Sequence, residues 1–207
     1  MYSEKAYPSM VEYLKERETE SFKLEHFEVT EKDVSWCQTL DAIHRRREYI
    51  GFKPGKYIRL VRKDKMFNNI VMSDTAMEKY SNMEIYYEAK GDVLIAGLGI
   101  GMILLGLQNN EKVTSITVIE KEQEILKIIK DQLPLNGKVT IIHGNIFSYV
   151  PDKKFDIIYF DIWDNLCGDN WEEIKSLQNK FRSKLKKGGH MLSWRKEDCR
   201  DLHRREY

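Results

Sequence analysis

Apolar runs of strand length alternate with helical stretches over the second half of the chain. The first run, residues 93–96, holds four consecutive apolar residues, as expected of a strand that is covered on both faces. The same pattern predicts further strands over 113–119, 138–143, 155–160 and 190–194, and helices over 102–108, 121–132 and 170–187. This order of elements predicts an α/β fold of three layers (α/β/α), with a doubly wound, Rossmann-like parallel sheet in the middle.

A different pattern runs through the first ninety residues. Apolar residues at helical spacing predict helices over 8–19 and 33–50, and apolar and polar residues alternate through 22–29. Two apolar stretches, 57–62 and 69–72, flank a charged turn and predict a β-hairpin. We therefore divide the chain into an N-terminal charged α+β extension (1–55), the hairpin with its connecting segment (56–90) and the parallel-sheet domain (91–207).

Composition indicates a soluble globular protein, since 42% of the residues are hydrophobic, 32% are charged, and 207 residues can bury a full core. The 34 basic residues balance 33 acidic ones, so no general attraction to nucleic acid or an anionic membrane is expected. Three scattered cysteines form neither a disulfide framework nor a zinc motif, and no metal site is expected. No segment predicts a bilayer span or a signal peptide. We expect a cytoplasmic protein that acts on a small molecule.

Three glycines follow the first parallel strand directly. Gly97, Gly99 and Gly101 stand where a side chain would block a sharp turn or the approach of a ligand. The N-terminal amides of the next helix point toward this turn, which is typical of a nucleotide or nucleoside cradle. The dinucleotide fingerprint G-x-G-x-x-G would need its third glycine at position 102, which is Met102, and no Walker Gly-Lys-Ser/Thr follows. Dinucleotides and a Walker phosphate loop are therefore disfavoured.

Polar residues also follow the later strands. Glu120 comes after the second strand, at about the 20-residue separation expected of a carboxylate that binds a ribose hydroxyl. Asn145 follows the third strand, and Asp161 and Asp164 follow the fourth. Because ligands bind beyond the carboxyl ends of parallel strands, these side chains are expected to share one site.

The glycine turn, Glu120, Asn145 and Asp161 together resemble the class I S-adenosylmethionine-dependent methyltransferases, over residues 92–194. The resemblance implies methyl transfer from S-adenosylmethionine to an unassigned substrate. It also implies that Glu120 holds the ribose hydroxyls and that Asn145, usually aspartate in the family, reads the adenine edge with the amide of Ile146. The residues that it implies for cofactor binding are Gly97, Leu98, Gly99, Gly101, Glu120, Lys121, Asn145, Ile146 and Asp161.

The acceptor side of the site is less well marked in the sequence. The resemblance implies that Asp161, with Asp164 nearby, orients or deprotonates the acceptor. Residues 72–80 lie just before the parallel-sheet domain, where related enzymes place a turn that covers the cofactor. The substrate-side candidates are Asp74, Thr75 and Tyr80 from this segment, and Trp163 as a stacking partner.

A narrower resemblance is to the spermidine synthase-like branch of the same fold. A β-hairpin precedes the core in that branch, and its Asp-x-x-Asp motif matches Asp161 and Asp164. This alternative implies aminopropyl transfer from decarboxylated S-adenosylmethionine to a polyamine. However, Ile100 and Asn165 replace the aspartate and the proline that the branch carries. A third alternative is a catalytically inactive module that works through partners, which the basic stretch 195–205 motivates.

The parallel sheet is expected to be shortened after its fifth strand. Methyltransferase sheets usually finish with an antiparallel pair, whereas the thirteen residues after Trp194 contain no strand-like run. Either the sheet is short, or the N-terminal hairpin supplies a replacement edge, or a partner chain does. A homo-oligomer that pairs at this edge is one arrangement compatible with the sequence.

Overall fold

The computed structural model describes residues 6–44, 52–64, 66 and 69–206, which contain two β-sheets flanked by helices. An antiparallel sheet has the order β1-β2-β3-β4, formed by Arg17–Glu18 (β1), Phe22–Val29 (β2), Gly55–Arg62 (β3) and Ile70–Ser73 (β4). A parallel sheet has the order β7-β6-β5-β8-β9, formed by Gly91–Ala96 (β5), Val113–Glu120 (β6), Val139–His143 (β7), Phe155–Phe160 (β8) and Leu185–Ser193 (β9). The α-helices are Glu31–His44 (α1), Ala76–Ser81 (α2), Met83–Glu88 (α3), Met102–Leu107 (α4), Gln123–Ile129 (α5), Asn170–Phe181 (α6) and Lys196–Glu206 (α7). Short 3-10 turns cover Met10–Glu12, Lys130–Gln132 and Arg182–Lys184.

The parallel sheet confirms the predicted fold class. Counted from β5, its strands lie in the order 3-2-1-4-5, which is the order of Rossmann-like doubly wound sheets. Val93 and Ile95 join an apolar cluster on one face of β5, and Leu94 and Ala96 join a second cluster on the other. The order of the strands reverses between β5 and β8, so the carboxyl ends of these two strands mark the expected ligand site.

The antiparallel sheet confirms the predicted hairpin and the alternation through 22–29. Strands β2 and β3 pair along their whole length, so the segments 1–55 and 56–90 build one sheet together. The predicted helix over 8–19 is wrong, since only Met10–Glu12 forms a single helical turn there. Backbone groups of this segment instead contact residues distant in sequence. The N–H of Met10 donates to the carboxylate of Asp74 (2.8 Å), and the Leu14 carbonyl lies 3.0 Å from the ring nitrogen of His26.

The end of the parallel sheet differs from the prediction in two respects. Helix α6 ends at Phe181, and β9 already begins at Leu185, because Lys186 is drawn into ion pairs with Asp92 (2.6 Å) and Asp156 (2.8 Å). The N-terminal hairpin does not supply a replacement edge, since β3 and β4 belong to the other sheet. Within the described residues, β9 is the last strand, and α7 follows it.

Helix α1 confirms the predicted helix over 33–50 as far as His44, and residues 45–50 lie outside the described part of the chain. Its apolar residues do not join the core, since Trp36 is 63% and Ile43 is 66% exposed. None of the described helices is long and apolar enough to cross a lipid bilayer.

Candidate active site

The glycine turn after β5 closes tightly onto its neighbours. Gly97, Gly99 and Gly101 all have a positive φ, at 99°, 53° and 77°. A Cβ atom on Gly97 would collide with the backbone carbonyl of Asp161, and one on Gly101 would collide with the side chain of Leu133. Gly97 therefore allows the ends of β5 and β8 to approach each other, whereas Gly101 allows α4 to pack against its neighbour.

A cavity of about 760 Å³ opens at the carboxyl ends of β5, β6 and β8, between the glycine turn and the antiparallel sheet. Most residues that the sequence pointed to lie on its wall. These residues are Thr75, Gly97, Leu98, Gly99, Glu120, Lys121, Asn145, Ile146, Asp161, Trp163 and Asp164. All residues that the sequence predicts to bind the cofactor, except Gly101, therefore line the same cavity.

Glu120, at the end of β6, is 5% exposed and is held by backbone donors. Its Oε2 accepts a hydrogen bond from the N–H of Leu98 (2.8 Å), and its Oε1 accepts one from the N–H of Glu122 (2.7 Å). Burial raises the pKa of this carboxyl, and the two backbone hydrogen bonds act in the opposite direction. A carboxylate has about four acceptor positions, so this group both fixes the glycine turn and keeps capacity to accept from a ligand.

Asn145 begins the turn after β7 at the far side of the cavity. Its side-chain oxygen accepts a hydrogen bond from the N–H of Phe147 (2.9 Å), which shapes the turn. The neighbouring Ile146 is buried, and its carbonyl accepts a hydrogen bond from Lys180 (3.0 Å). The carboxamide oxygen of Asn145 keeps one further acceptor position, and its NH₂ group can donate to a ligand.

Asp161 lies at the centre of the cavity wall. Its backbone N–H donates to the carbonyl of Ala96 (2.9 Å), which holds the residue beside the glycine turn. Its carboxyl forms no hydrogen bond or ion pair with any residue in the described part of the chain. Removal from bulk water raises the pKa of this carboxyl to about 7. A carboxyl that titrates near neutral pH is suited to accept or donate a proton in a reaction.

Two of the residues predicted on the substrate side, Asp74 and Tyr80, do not line the cavity. Asp74 is 1% exposed and does not line the cavity, because its carboxylate accepts hydrogen bonds from the N–H groups of Met10 and Ile58 (2.8 and 2.9 Å). Tyr80 is 66% exposed and lies in a separate groove. Thr75 does line the cavity, with its hydroxyl 3.0 Å from that of Ser73.

Asp164 and Trp163 line the cavity, and each already contacts another side chain of the protein. The carboxylate of Asp164 pairs with the guanidinium of Arg62 from β3 (3.1 Å), so this ion pair joins the two sheets across the cavity mouth. The indole N–H of Trp163 donates to the carboxylate of Glu173 on α6 (2.6 Å). Both contacts fix the loop after β8 in place.

Glu78 is a cavity residue that the sequence analysis did not single out. It lies on α2, one turn after Thr75, and burial together with the charge of Asp161 raises the pKa of its carboxyl to about 8. Arg195, just after β9, opposes this effect and lies on the same wall. The spacing of Thr75 and Glu78 is the available signal, since residues three apart share one face of a helix.

No family model matches the chain, and a search of curated proteins found no similar sequence. Among solved structures, the chain is similar to DhpI in complex with SAH, with 20% identity, 54% of this chain and 53% of that chain covered, and a TM-score of 0.44. It is also similar to the glycopeptide N-methyltransferase MtfA complexed with S-adenosyl-L-methionine (18%, 55% and 48% covered, TM-score 0.42). A third similar structure is the CcbJ methyltransferase from Streptomyces caelestis (17%, 55% and 46% covered, TM-score 0.43). The chain spans about half the length of these structures.

Proposed function

We propose that the protein is an S-adenosylmethionine-dependent methyltransferase that acts on a small molecule. The observation that carries this proposal is the position of Asp161. An unpaired carboxyl that titrates near neutral pH lies against the glycine turn, in the same cavity as Glu120. When bound, S-adenosylmethionine would supply a methyl group on a positively charged sulfur, which needs a positioned acceptor more than strong acid–base help.

The residues of the cavity fit this cofactor. Glu120 keeps acceptor capacity for the hydroxyls of a ribose, and Asn145 has an NH₂ group that can donate to the edge of an adenine ring. Gly97 and Gly99 line the cavity beside Leu98 and Lys121, so a ligand can reach the backbone of the turn there. Ile146 adds an apolar surface to the cavity wall beside Asn145.

Asp161 would act on the acceptor. Its carboxyl lies on the cavity wall beside the glycine turn, and a pKa of about 7 allows it to take up a proton at physiological pH. Asp164 would support it indirectly, because its ion pair with Arg62 holds the loop after β8. The open cavity at Asp161 favours an enzyme over an inactive module.

Calorimetric titration with S-adenosylmethionine and S-adenosylhomocysteine tests the proposal. We expect both to bind, and Glu120→Ala to weaken binding by about 1–3 kcal/mol, since buried backbone donors and the ribose hydroxyls lose their acceptor. Glu111→Ala, at an exposed position away from the cavity, serves as the matched control. Glu120→Gln keeps one acceptor oxygen and provides a second folded variant. Absence of heat with both ligands, or unchanged binding to both Glu120 variants, would contradict the proposal.

Aminopropyl transfer is a second candidate, favoured by the presence of both Asp161 and Asp164 on the cavity wall. The spermidine synthase-like branch would require binding of decarboxylated S-adenosylmethionine and a polyamine. Ile100 is fully buried and offers no group for the amino end of that cofactor. Product formation from putrescine and decarboxylated cofactor would support this alternative, whereas tighter binding of the carboxylated cofactor would count against it.

A further inference from the structure

Arg62 is the last residue of β3, and its side chain contacts two different loops of the parallel sheet. Its Nε donates to the carboxylate of Asp164 (3.1 Å) in the loop after β8, and its Nη1 lies 3.8 Å from the carboxylate of Glu122, after β6. All three residues line the cavity. One side chain of the antiparallel sheet thus forms a bridge between two loops of the other sheet.

The two loops lie on opposite sides of the glycine turn. Strand β6 pairs with one edge of β5 and β8 pairs with the other, so a contact from the β6 loop to the β8 loop spans the carboxyl end of β5. Gly97 and Gly99, which follow β5, line the cavity at this end. The bridge therefore joins the two walls of the crevice in which doubly wound sheets bind their ligands.

Each arm of the bridge holds one half of the candidate site. The N–H of Glu122 donates to Oε1 of Glu120 (2.7 Å), so a contact that holds Glu122 also holds this donor in place. Asp164 lies three residues after Asp161, whose N–H donates to the carbonyl of Ala96 at the end of β5 (2.9 Å). The bridge therefore connects the carboxylate proposed for the ribose with the loop that begins at the proposed proton acceptor.

The guanidinium of Arg62 is itself fixed by the antiparallel sheet. Its Cζ lies 4.7 Å from the centre of the Phe22 ring, and Phe22 is its direct partner in the pairing of β2 with β3. Phe22 is 1% exposed, and the side chain of Arg62 is 21% exposed. A planar guanidinium on a buried ring loses little freedom when it donates to a carboxylate. The bridge is therefore a rigid contact and differs from an exposed surface ion pair, which contributes little.

Resting on the function proposed above, we propose that Arg62 is a positioning residue that couples cofactor binding to the loop after β8. With the Glu120 side of the cavity occupied, Glu122 is held and Arg62 holds Asp164 in turn, so Asp161 keeps its place toward the acceptor. Arg62 touches no reacting atom and acts through the geometry of the loop. The antiparallel sheet thereby supplies a working part of the site.

Hydrogen exchange of the full chain, with and without S-adenosylhomocysteine, tests the proposal. In the wild type we expect the ligand to slow exchange at the glycine turn and, at least about fivefold, in residues 162–168. Arg62→Met removes both ion pairs and keeps an apolar stem, so the slowing in 162–168 should disappear while that at the glycine turn remains. The same variant should bind S-adenosylhomocysteine about five- to tenfold more weakly by calorimetry, because coupling between two sites is reciprocal.

Arg59→Met is the matched control. Arg59 lies on the same strand, pairs with Glu25 (2.6 Å) and has its Cζ 5.0 Å from the centre of the Phe27 ring, but it does not line the cavity. This variant loses the same kinds of contact as Arg62→Met, so a merely structural role would give the same result for both arginines. We expect Arg59→Met to bind the ligand and to respond in residues 162–168 as the wild type does.

Asp164→Ala removes the bridge from its other end and leaves β3 unchanged, so it is a second variant if Arg62→Met does not fold. The double variant should bind less than about twofold more weakly than Arg62→Met, since both changes remove one contact. Ligand binding without slowed exchange in 162–168, slowing that persists in both single variants, additive losses of affinity, or the same effects in Arg59→Met would each overturn the proposal. A wild type that does not bind S-adenosylhomocysteine would instead count against the proposed function.

Discussion

Asp161→Asn should nearly abolish methyl transfer and at the same time make the protein more stable. Loss of a positioned proton acceptor lowers the rate by about 10²–10⁴-fold. Stability rises because burial lifts the pKa of Asp161 from 3.8 to about 7, so the ionised form is disfavoured only in the folded protein. The ionised carboxylate of the wild type therefore lowers the free energy of unfolding at neutral pH, and the uncharged amide of the variant does not.

The pH dependence follows from the same shift. Between about pH 4 and pH 7 the folded protein holds a proton that the unfolded chain has released, so wild-type stability falls as the pH rises. Glu78, with its pKa raised from 4.5 to about 8, contributes in the same direction. We expect a gain of about 1–2 kcal/mol for Asp161→Asn at pH 8, or a melting midpoint roughly 2–8 °C higher, and none at pH 4.

Thermal unfolding at several pH values measures this difference, and release of the methyl group from labelled S-adenosylmethionine measures the rate. Asp152→Asn, at an exposed position before β8, is the matched control and should change neither. A lower midpoint for Asp161→Asn at pH 8 would mean that the fold stabilises the ionised carboxylate, contrary to the arrangement described above.

The parallel sheet could be predicted because its signals are local. A run such as residues 93–96 identifies a buried strand on its own, and the residues after each strand end then identify the site. The fate of residues 8–19 could not be predicted, since it depends on Asp74, more than sixty positions away. The start of β9 likewise depends on the ion pairs of Lys186 with residues distant in sequence.

Within the site, too, some residues could be predicted from local signals and others depend on packing between distant segments. Glu120 is the last residue of β6 and Asp161 follows β8 directly, so the sheet fixes their positions. Glu78 lies on a short helix from outside the sheet, and only packing decides which side of that helix faces the cavity. Thr75 and Glu78 are three residues apart and share that side, whereas Tyr80 is five residues from Thr75 and lines a separate groove. Knowledge of which face of α2 lines the cavity would have led to Glu78 as a candidate instead of Tyr80.

Gly97→Ala should be the most damaging alanine substitution among the described glycines. The φ of 99° is strained for any residue with a Cβ, and the added atom would collide with the backbone carbonyl of Asp161, which cannot rotate away as a side chain can. We expect a loss of about 2–5 kcal/mol in the free energy of unfolding. The ends of β5 and β8 would also be forced apart, so binding of S-adenosylhomocysteine should fall in the folded fraction.

Gly188→Ala separates the two causes of the expected stability loss, which are backbone strain and steric collision. Gly188 also has a positive φ, at 80°, but a Cβ there would meet no atom within 4 Å. The control therefore carries the conformational strain without the collision, and it should cost only about 1–2 kcal/mol and leave ligand binding unchanged. Denaturant unfolding of both variants, followed by calorimetry, measures the difference. Equal losses for the two variants would mean that contact between the glycine turn and Asp161 does not constrain this fold, and the close approach of β5 and β8 would then not be what shapes the cavity.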